Sequence, residues 1–105
     1  MAKATIEAGI CGFTTEVEAL PTDDSRRVTL AITSGCSAIQ KLAEHLTEVD
    51  PFQEFTFRGE GPQALRLGAQ YCDHPACPVP VGIIKAVEVT AQLALPAGVT
   101  ITIEQ

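Results

Sequence analysis

The chain has 105 residues, of which 46% are hydrophobic, and this is enough apolar material for one ordinary core. We therefore predict a single domain spanning residues 1–105. The net charge of −6, with only seven Lys and Arg residues, disfavours a nucleic-acid-binding face and binding to an anionic membrane surface.

The N-terminal residues do not have the pattern of a signal peptide, because polar and apolar residues alternate there and Glu7 comes early. No apolar run approaches the ~20 residues that a membrane span needs. We therefore predict a cytoplasmic protein. Thiols stay reduced in that compartment, so the four cysteines are expected to be metal ligands or reactive thiols rather than disulfides.

Three strands are predicted in the first third of the chain, over residues 4–8, 13–19 and 28–32, where apolar and polar residues alternate. The turn-forming residues 21–25 join the second and third strands into a hairpin. If that turn is centred on Asp23, residues whose numbers sum to roughly 46 lie opposite each other. Cys11 would then lie opposite Gly35.

The next element is a helix over residues 38–46, because its apolar residues recur at helical spacing. Ser37 and Gln40 have the spacing of a capping box, which predicts that the helix begins at Ser37. Cys36 would lie just before this helix. Asp50 and Pro51 are expected to end it.

The second half of the chain is predicted to be mainly helical. Residues 52–57 form a short strand or an extended loop, and residues 63–70 form a short helix. Residues 81–95 are apolar almost all round and too long for one strand, so they are predicted as a buried helix. The alternation of Val, Thr and Ile in residues 99–103 predicts a last strand. This order indicates an α+β fold, a two-layer sandwich in which a mostly antiparallel sheet of three to five strands carries two long helices on one face.

The stretch from Tyr71 to Ala97 contains several residues that can act as metal ligands or nucleophiles. They are Cys72, His74 and Cys77, and all three lie near its start. Pro78 follows Cys77, and Pro is favoured at the first position of a helix, so Cys77 is predicted to be the N-cap. The dipole at a helix N-terminus favours a thiolate over a thiol.

These positions support a metal site as the first hypothesis. The hairpin register brings Cys11 next to Cys36, and each helix start or turn can expose a sulfur atom. Four thiolates suit Zn²⁺ or an iron–sulfur cluster. The predicted metal ligands are Cys11, Cys36, Cys72 and Cys77, with His74 as a further candidate.

Two other interpretations remain open. In one, Cys77 is the nucleophile of a sulfur-transfer or thiol-redox protein, and Cys72 is its resolving thiol. In the other, the protein is a structural module whose cysteines are inert, since free Cys is among the most buried residue types. The sequence leaves open whether the protein is an enzyme, and it allows a protein partner or a homo-oligomer.

The run Cys77-Pro78-Val79-Pro80 resembles the Cys-Pro-x-Pro signature of the TusA/SirA-like sulfur-carrier family. In that family the signature begins an apolar helix, which a Gly-led strand follows, in a two-layer α/β sandwich. The resemblance implies that Cys77 carries a persulfide and that Pro78 and Pro80 shape the helix start. It covers residues 77–103, and in that family the signature lies near the N-terminus instead.

Overall fold

A computed structural model describes all 105 residues and contains four strands and four helices. The elements are β1 (Ala2–Glu7), β2 (Thr14–Pro21), β3 (Val28–Ser34), α1 (Ser37–Glu44), β4 (Glu48–Val49), α2 (Pro51–Glu54), α3 (Gln63–Tyr71) and α4 (Val79–Thr90). The strands form one sheet in the order β1-β2-β3-β4, and every neighbouring pair is antiparallel. The predicted α+β fold is confirmed.

The helices cover one face of the sheet and form the core with it. In β2 the buried residues Thr15, Val17 and Ala19 alternate with exposed ones, so the opposite face of this strand is open to solvent. Helix α4 packs on β1 and β2, α1 packs on β3, and α3 lies against both helices. A hydrogen bond from Thr90 Oγ1 to the Ala19 carbonyl, 2.9 Å long, ties the end of α4 to β2.

The register of the β2–β3 hairpin differs from the predicted one. Thr15 lies opposite Ser34, and Pro21 lies opposite Val28, because the connection runs from Thr22 to Arg27 and is not centred on Asp23. Cys11 therefore has no partner in this hairpin and is not opposite Gly35. It lies instead in the loop that joins β1 to β2.

The start of α1 also differs in detail. Cys36 is the N-cap, Ser37 is already helical, and no side chain caps the helix, so the predicted capping box does not form. Gln40 Nε2 instead donates to the Ser34 carbonyl at 2.8 Å. The helix ends at Glu44, earlier than predicted.

Residues 52–57 form no strand. Asp50 starts α2 instead, because its carboxylate accepts a hydrogen bond from Phe52 N at 3.0 Å and Pro51 suits the first helical position. The predicted helix over residues 63–70 is confirmed as α3, which extends to Tyr71.

Helix α4 is shorter than the apolar run suggests, and the predicted last strand is absent. The helix ends at Thr90, Gln92 has a positive φ of 63°, and Leu93 N donates to the Glu88 carbonyl at 2.8 Å. Residues 94–105, the C-terminal segment, are exposed and belong to no strand or helix. None of the four helices has the length and apolarity that crossing a membrane requires.

Candidate thiol site

Two cysteines lie at the ends of the short loop that joins α3 to α4. Cys72 caps the C-terminus of α3, with its N–H donating to the Gly68 carbonyl at 2.9 Å. Cys77 N donates to the His74 carbonyl at 3.1 Å, and this closes a turn. The N-cap of α4 is Pro78, so Cys77 lies one residue further from the helix than predicted.

A close approach of the two helices holds this loop in place. Gly68 of α3 packs against the ring of Pro80, and a Cβ atom added at Gly68 would lie 2.7 Å from Pro80 Cγ. Gly82 packs in the same way against Ile6, which brings α4 close to β1. Glycine at these positions lets the backbones approach, and so it fixes the start of α4, which follows Cys77, relative to α3 and β1.

Cys36 is positioned by a hydrogen-bond chain at the end of β3. Ser34 Oγ accepts from the backbone N–H of Cys36 at 3.1 Å and from Thr15 Oγ1 at 2.8 Å. Together with the Gln40 side chain on the Ser34 carbonyl, these bonds fix the chain where it enters α1. Cys36, Cys72 and Cys77 are all partly buried against the core, and none is in a disulfide.

The three thiols interact electrostatically. The pKa of Cys72 is raised to about 11, first by burial, then by the charge and the hydrogen bond of the neighbouring Cys77, with smaller effects from the charges of Cys36 and Asp73. The thiol of Cys72 is therefore protonated at neutral pH. We call these three residues the thiol cluster (Cys36, Cys72 and Cys77).

Cys11 and His74 are not part of the thiol cluster. Cys11 is exposed in the β1–β2 loop, between Gly9 and Gly12, which both have positive φ angles. His74 is exposed in the α3–α4 loop. No group of three or more His, Cys, Asp or Glu side chains is arranged so that it could hold a metal ion. The zinc or iron–sulfur site thus stays a prediction.

Cys77 borders an open groove, whereas Cys72 does not. The groove has a volume of about 700 Å³ and is lined by β1, by the side of α4 next to β1 and by the C-terminal segment. Cys77 and Pro78 line one end, and Lys85 lies further along α4. The groove therefore gives a reactant access to Cys77, whereas Cys72 does not line it.

One buried charged residue was missed by sequence reasoning. Glu54 is 3% exposed, and its carboxylate accepts hydrogen bonds from Gln63 N at 2.8 Å and Ala64 N at 2.9 Å. It thereby caps α3, whose own N-cap residue is Pro62. The one available signal was Pro62 itself, since proline offers no side-chain acceptor for the first turn.

Comparison with known proteins identifies a family but no function. No curated protein and no solved structure matches the chain. A family model described as a family of unknown function, DUF6951, matches residues 2–103. Nearly the whole chain is matched, including all four cysteines, and the protein therefore belongs to this family.

Proposed function

We propose that the protein is a sulfur carrier that uses Cys77 as its nucleophile. The observation that carries the proposal is the unequal placement of two neighbouring thiols. Cys77 borders the groove, whereas Cys72 does not line it and has a raised pKa. The likeness of residues 77–80 to a sulfur-carrier signature supports the same assignment.

In the proposed loading step, Cys77 receives a sulfur atom by thiolate exchange with a donor persulfide. The Cys77 thiolate attacks the outer sulfur of a donor persulfide, R–S–SH, and forms a new S–S bond. The S–S bond of the donor breaks, and R–S⁻ leaves with the electron pair. The outer sulfur keeps its proton, so the product is Cys77–S–SH, and no external oxidant or reductant is needed.

Cys72 determines how long the persulfide lasts. As a thiolate it would attack the inner sulfur of Cys77–S–SH, form the Cys72–Cys77 disulfide and expel HS⁻. Its raised pKa makes its thiolate fraction at neutral pH smaller than that of an ordinary cysteine, and a thiol is a far weaker nucleophile than a thiolate. The arrangement therefore favours carriage of sulfur over its release. The proposal includes the cytoplasm as the compartment, because the thiols must stay reduced.

The test is to incubate the reduced protein with glutathione persulfide and to measure its intact mass and peptide map. We expect the mass of one added sulfur atom, located on Cys77. Cys77→Ser should abolish loading, whereas Cys11→Ser, which removes an exposed thiol outside the cluster, should not. Loading on Cys11, or undiminished loading of Cys77→Ser, would overturn the proposal.

A soft-metal site is the second candidate, because the charges of Cys36 and Cys77 both act on Cys72, so the three thiols lie in one region of the fold. Its support is this adjacency and not a preformed set of ligands. Titration with Co²⁺, followed by thiolate-to-cobalt absorption, tests it. Stoichiometric binding that Cys36→Ser, Cys72→Ser and Cys77→Ser each weaken would favour the metal, while persulfide loading without such binding would favour the carrier.

A further inference from the structure

The groove that Cys77 borders has the composition of a site for a small molecule. Its volume of about 700 Å³ lies in the range that small-molecule pockets occupy. Most of its lining residues are apolar or glycine, and the polar exceptions are Lys3, Thr5, Glu7, Cys77 and Lys85. In an apolar pocket, a few polar groups fix the orientation of the ligand. The charged residues therefore indicate which ligand the groove accepts.

Lys85 is a groove lysine whose charge has no partner. The other one, Lys3, lies 4.0 Å from Glu18, which is also its cross-strand neighbour. Lys85 takes part in none of the three ion pairs of the molecule, and its side chain is exposed. The protein as a whole is acidic, with a net charge of −6. An unpaired cation beside apolar walls is thus a local attractor for an anion, and the walls reduce screening by water.

The position of Lys85 on α4 directs it toward the reactive thiol. Lys85 follows Pro78, the N-cap of α4, by seven residues, and both line the groove. Seven residues are two helical turns, or about 10 Å along the helix axis. Side chains of a helix tilt toward its N-terminus, so the ammonium group is directed back toward Cys77. A ligand only a few bonds long can therefore reach both groups.

Glu7 gives the groove a second, opposite charge close to Cys77. Gly82 in the first turn of α4 packs on Ile6, the residue before Glu7, so Glu7 lies beside the start of this helix. Lys85 lies three residues further along. A ligand with one anionic end is attracted to Lys85 at that end and repelled from Glu7. Its uncharged end is then left at Cys77.

We propose that the groove binds small-molecule persulfides that carry a carboxylate, with the carboxylate on Lys85 and the sulfur end at Cys77. The inference rests on the proposed function and names the class of sulfur donor, a small acidic thiol in its persulfide form. Lys85 binds and orients this donor and takes no part in the exchange of S–S bonds. The carboxylate stays on the leaving thiolate R–S⁻ and departs with it.

Two persulfides of equal length test the proposal, those of 3-mercaptopropionate and of its uncharged amide. Lys85→Gln should slow loading from the carboxylate persulfide about fivefold at low ionic strength, and added salt should narrow this difference. Loading from the amide should change by less than about twofold. A change in the reactivity of Cys77 itself would alter both rates alike, so their ratio reports binding. Lys41→Gln is the matched control, because it removes the same charge from an exposed lysine in α1 outside the groove, and it should leave the ratio unchanged.

A second probe pair reports on the groove without any transfer of sulfur. Cys77 is labelled with 3-maleimidopropionate or with its amide, and peptide mapping gives the rate relative to that of Cys11, which lies outside the groove. Lys85→Gln should again slow the carboxylate reagent selectively. If this selectivity holds but no persulfide forms, the preference for carboxylates stands and the sulfur-carrier function is wrong. If Cys77 is loaded and Lys85→Gln affects acid and amide equally with both probe pairs, the carrier stands and this inference is overturned.

Discussion

Strand β2 and residues 99–103 both alternate apolar or small residues with polar ones, yet only β2 is part of a sheet. In β2 every second side chain is buried from Thr15 to Ala19, whereas Val99, Ile101 and Ile103 are exposed. β2 has a strand paired on either side of it and α4 packed across one face, whereas no strand pairs with the C-terminal segment. Alternation thus identifies the face that a strand would bury, while neighbouring elements decide whether it is buried.

The same contrast determines how much a side chain stabilises the single chain. A residue in the core loses its contact with water on folding, and a residue of the C-terminal segment does not. Identical substitutions in the two regions should therefore have very different effects on the free energy of unfolding.

The largest difference is expected for a matched pair of leucines. Leu42 is 0% exposed in α1, and Leu95 is 86% exposed in the C-terminal segment. Leu42→Ala should lower the free energy of unfolding by about 2–5 kcal/mol, because it removes buried methyl groups and leaves a cavity. Leu95→Ala should change it by less than about 0.5 kcal/mol. Urea denaturation measured by circular dichroism gives both values.

Protein concentration serves as the control for this pair, because association would add a concentration-dependent contribution from the segment. Measurements at the lowest usable concentration report the single chain. A loss of more than about 2 kcal/mol for Leu95→Ala under those conditions would mean that the segment packs on its own chain.

Two glycines allow the same comparison between a packed and an exposed position, one in α3 next to the thiol cluster and one in the C-terminal segment. A Cβ atom at Gly68 would lie 2.7 Å from the rigid Pro80 ring, whereas a Cβ at Gly98 would meet nothing within 4 Å. Gly68→Ala should force α3 and α4 apart at a cost of about 1–3 kcal/mol. Gly98→Ala should be neutral or slightly stabilising, because alanine restricts the unfolded chain.

Thermal unfolding of the two glycine variants gives the stability difference. Gly68→Ala should also slow the formation of a Cys72–Cys77 disulfide by added oxidant. The backbone N–H of Cys72 donates a hydrogen bond to the Gly68 carbonyl, so Cys72 would move with α3 when α3 and α4 are forced apart. Equal melting temperatures for the two variants would contradict the close helix approach.

Local patterns predicted the elements that depend on local interactions. The alternation in β2 and β3 and the helical spacing in α1 and α3 indicated the right elements, because burial of one face imposes the period on the sequence. The end of α4 and the absence of a strand at residues 99–103 depend on which neighbours are present. Neither the end of α4 nor the absence of this strand can be read from the residues of these segments alone.

The candidate site was predictable to a similar degree. The closeness of Cys72 and Cys77 follows from their short separation in the chain. The separation of Cys11 from Cys36 depends on where the β2–β3 turn lies, and a shift of the turn changes every pairing. The cap that Glu54 provides could not be predicted, since it joins two helices through a loop.

The smallest expected effect concerns Cys72, which packs against the core, in contrast to the exposed Cys11. Its pKa is raised from 9.0 to about 11 in the folded protein, first by burial and then by Cys77. Below pH 9 the thiol is neutral in both the folded and the unfolded chain, so its contribution to stability is fully present there.

Between pH 9 and about pH 11 the unfolded chain loses the Cys72 proton while the folded chain keeps it, so stability should fall as the pH rises. The thiol is partly exposed, and solvent screening makes this loss smaller than the full shift implies. Melting temperatures of the native protein and of Cys72→Ala across this range measure the loss, because the two proteins differ only at Cys72. The native protein should lose more stability than Cys72→Ala, and Cys11→Ser should follow the native protein. Parallel curves for the native protein and Cys72→Ala would show that neither burial nor Cys77 raises the pKa of Cys72, which would then be no weaker a nucleophile toward the persulfide than an ordinary cysteine.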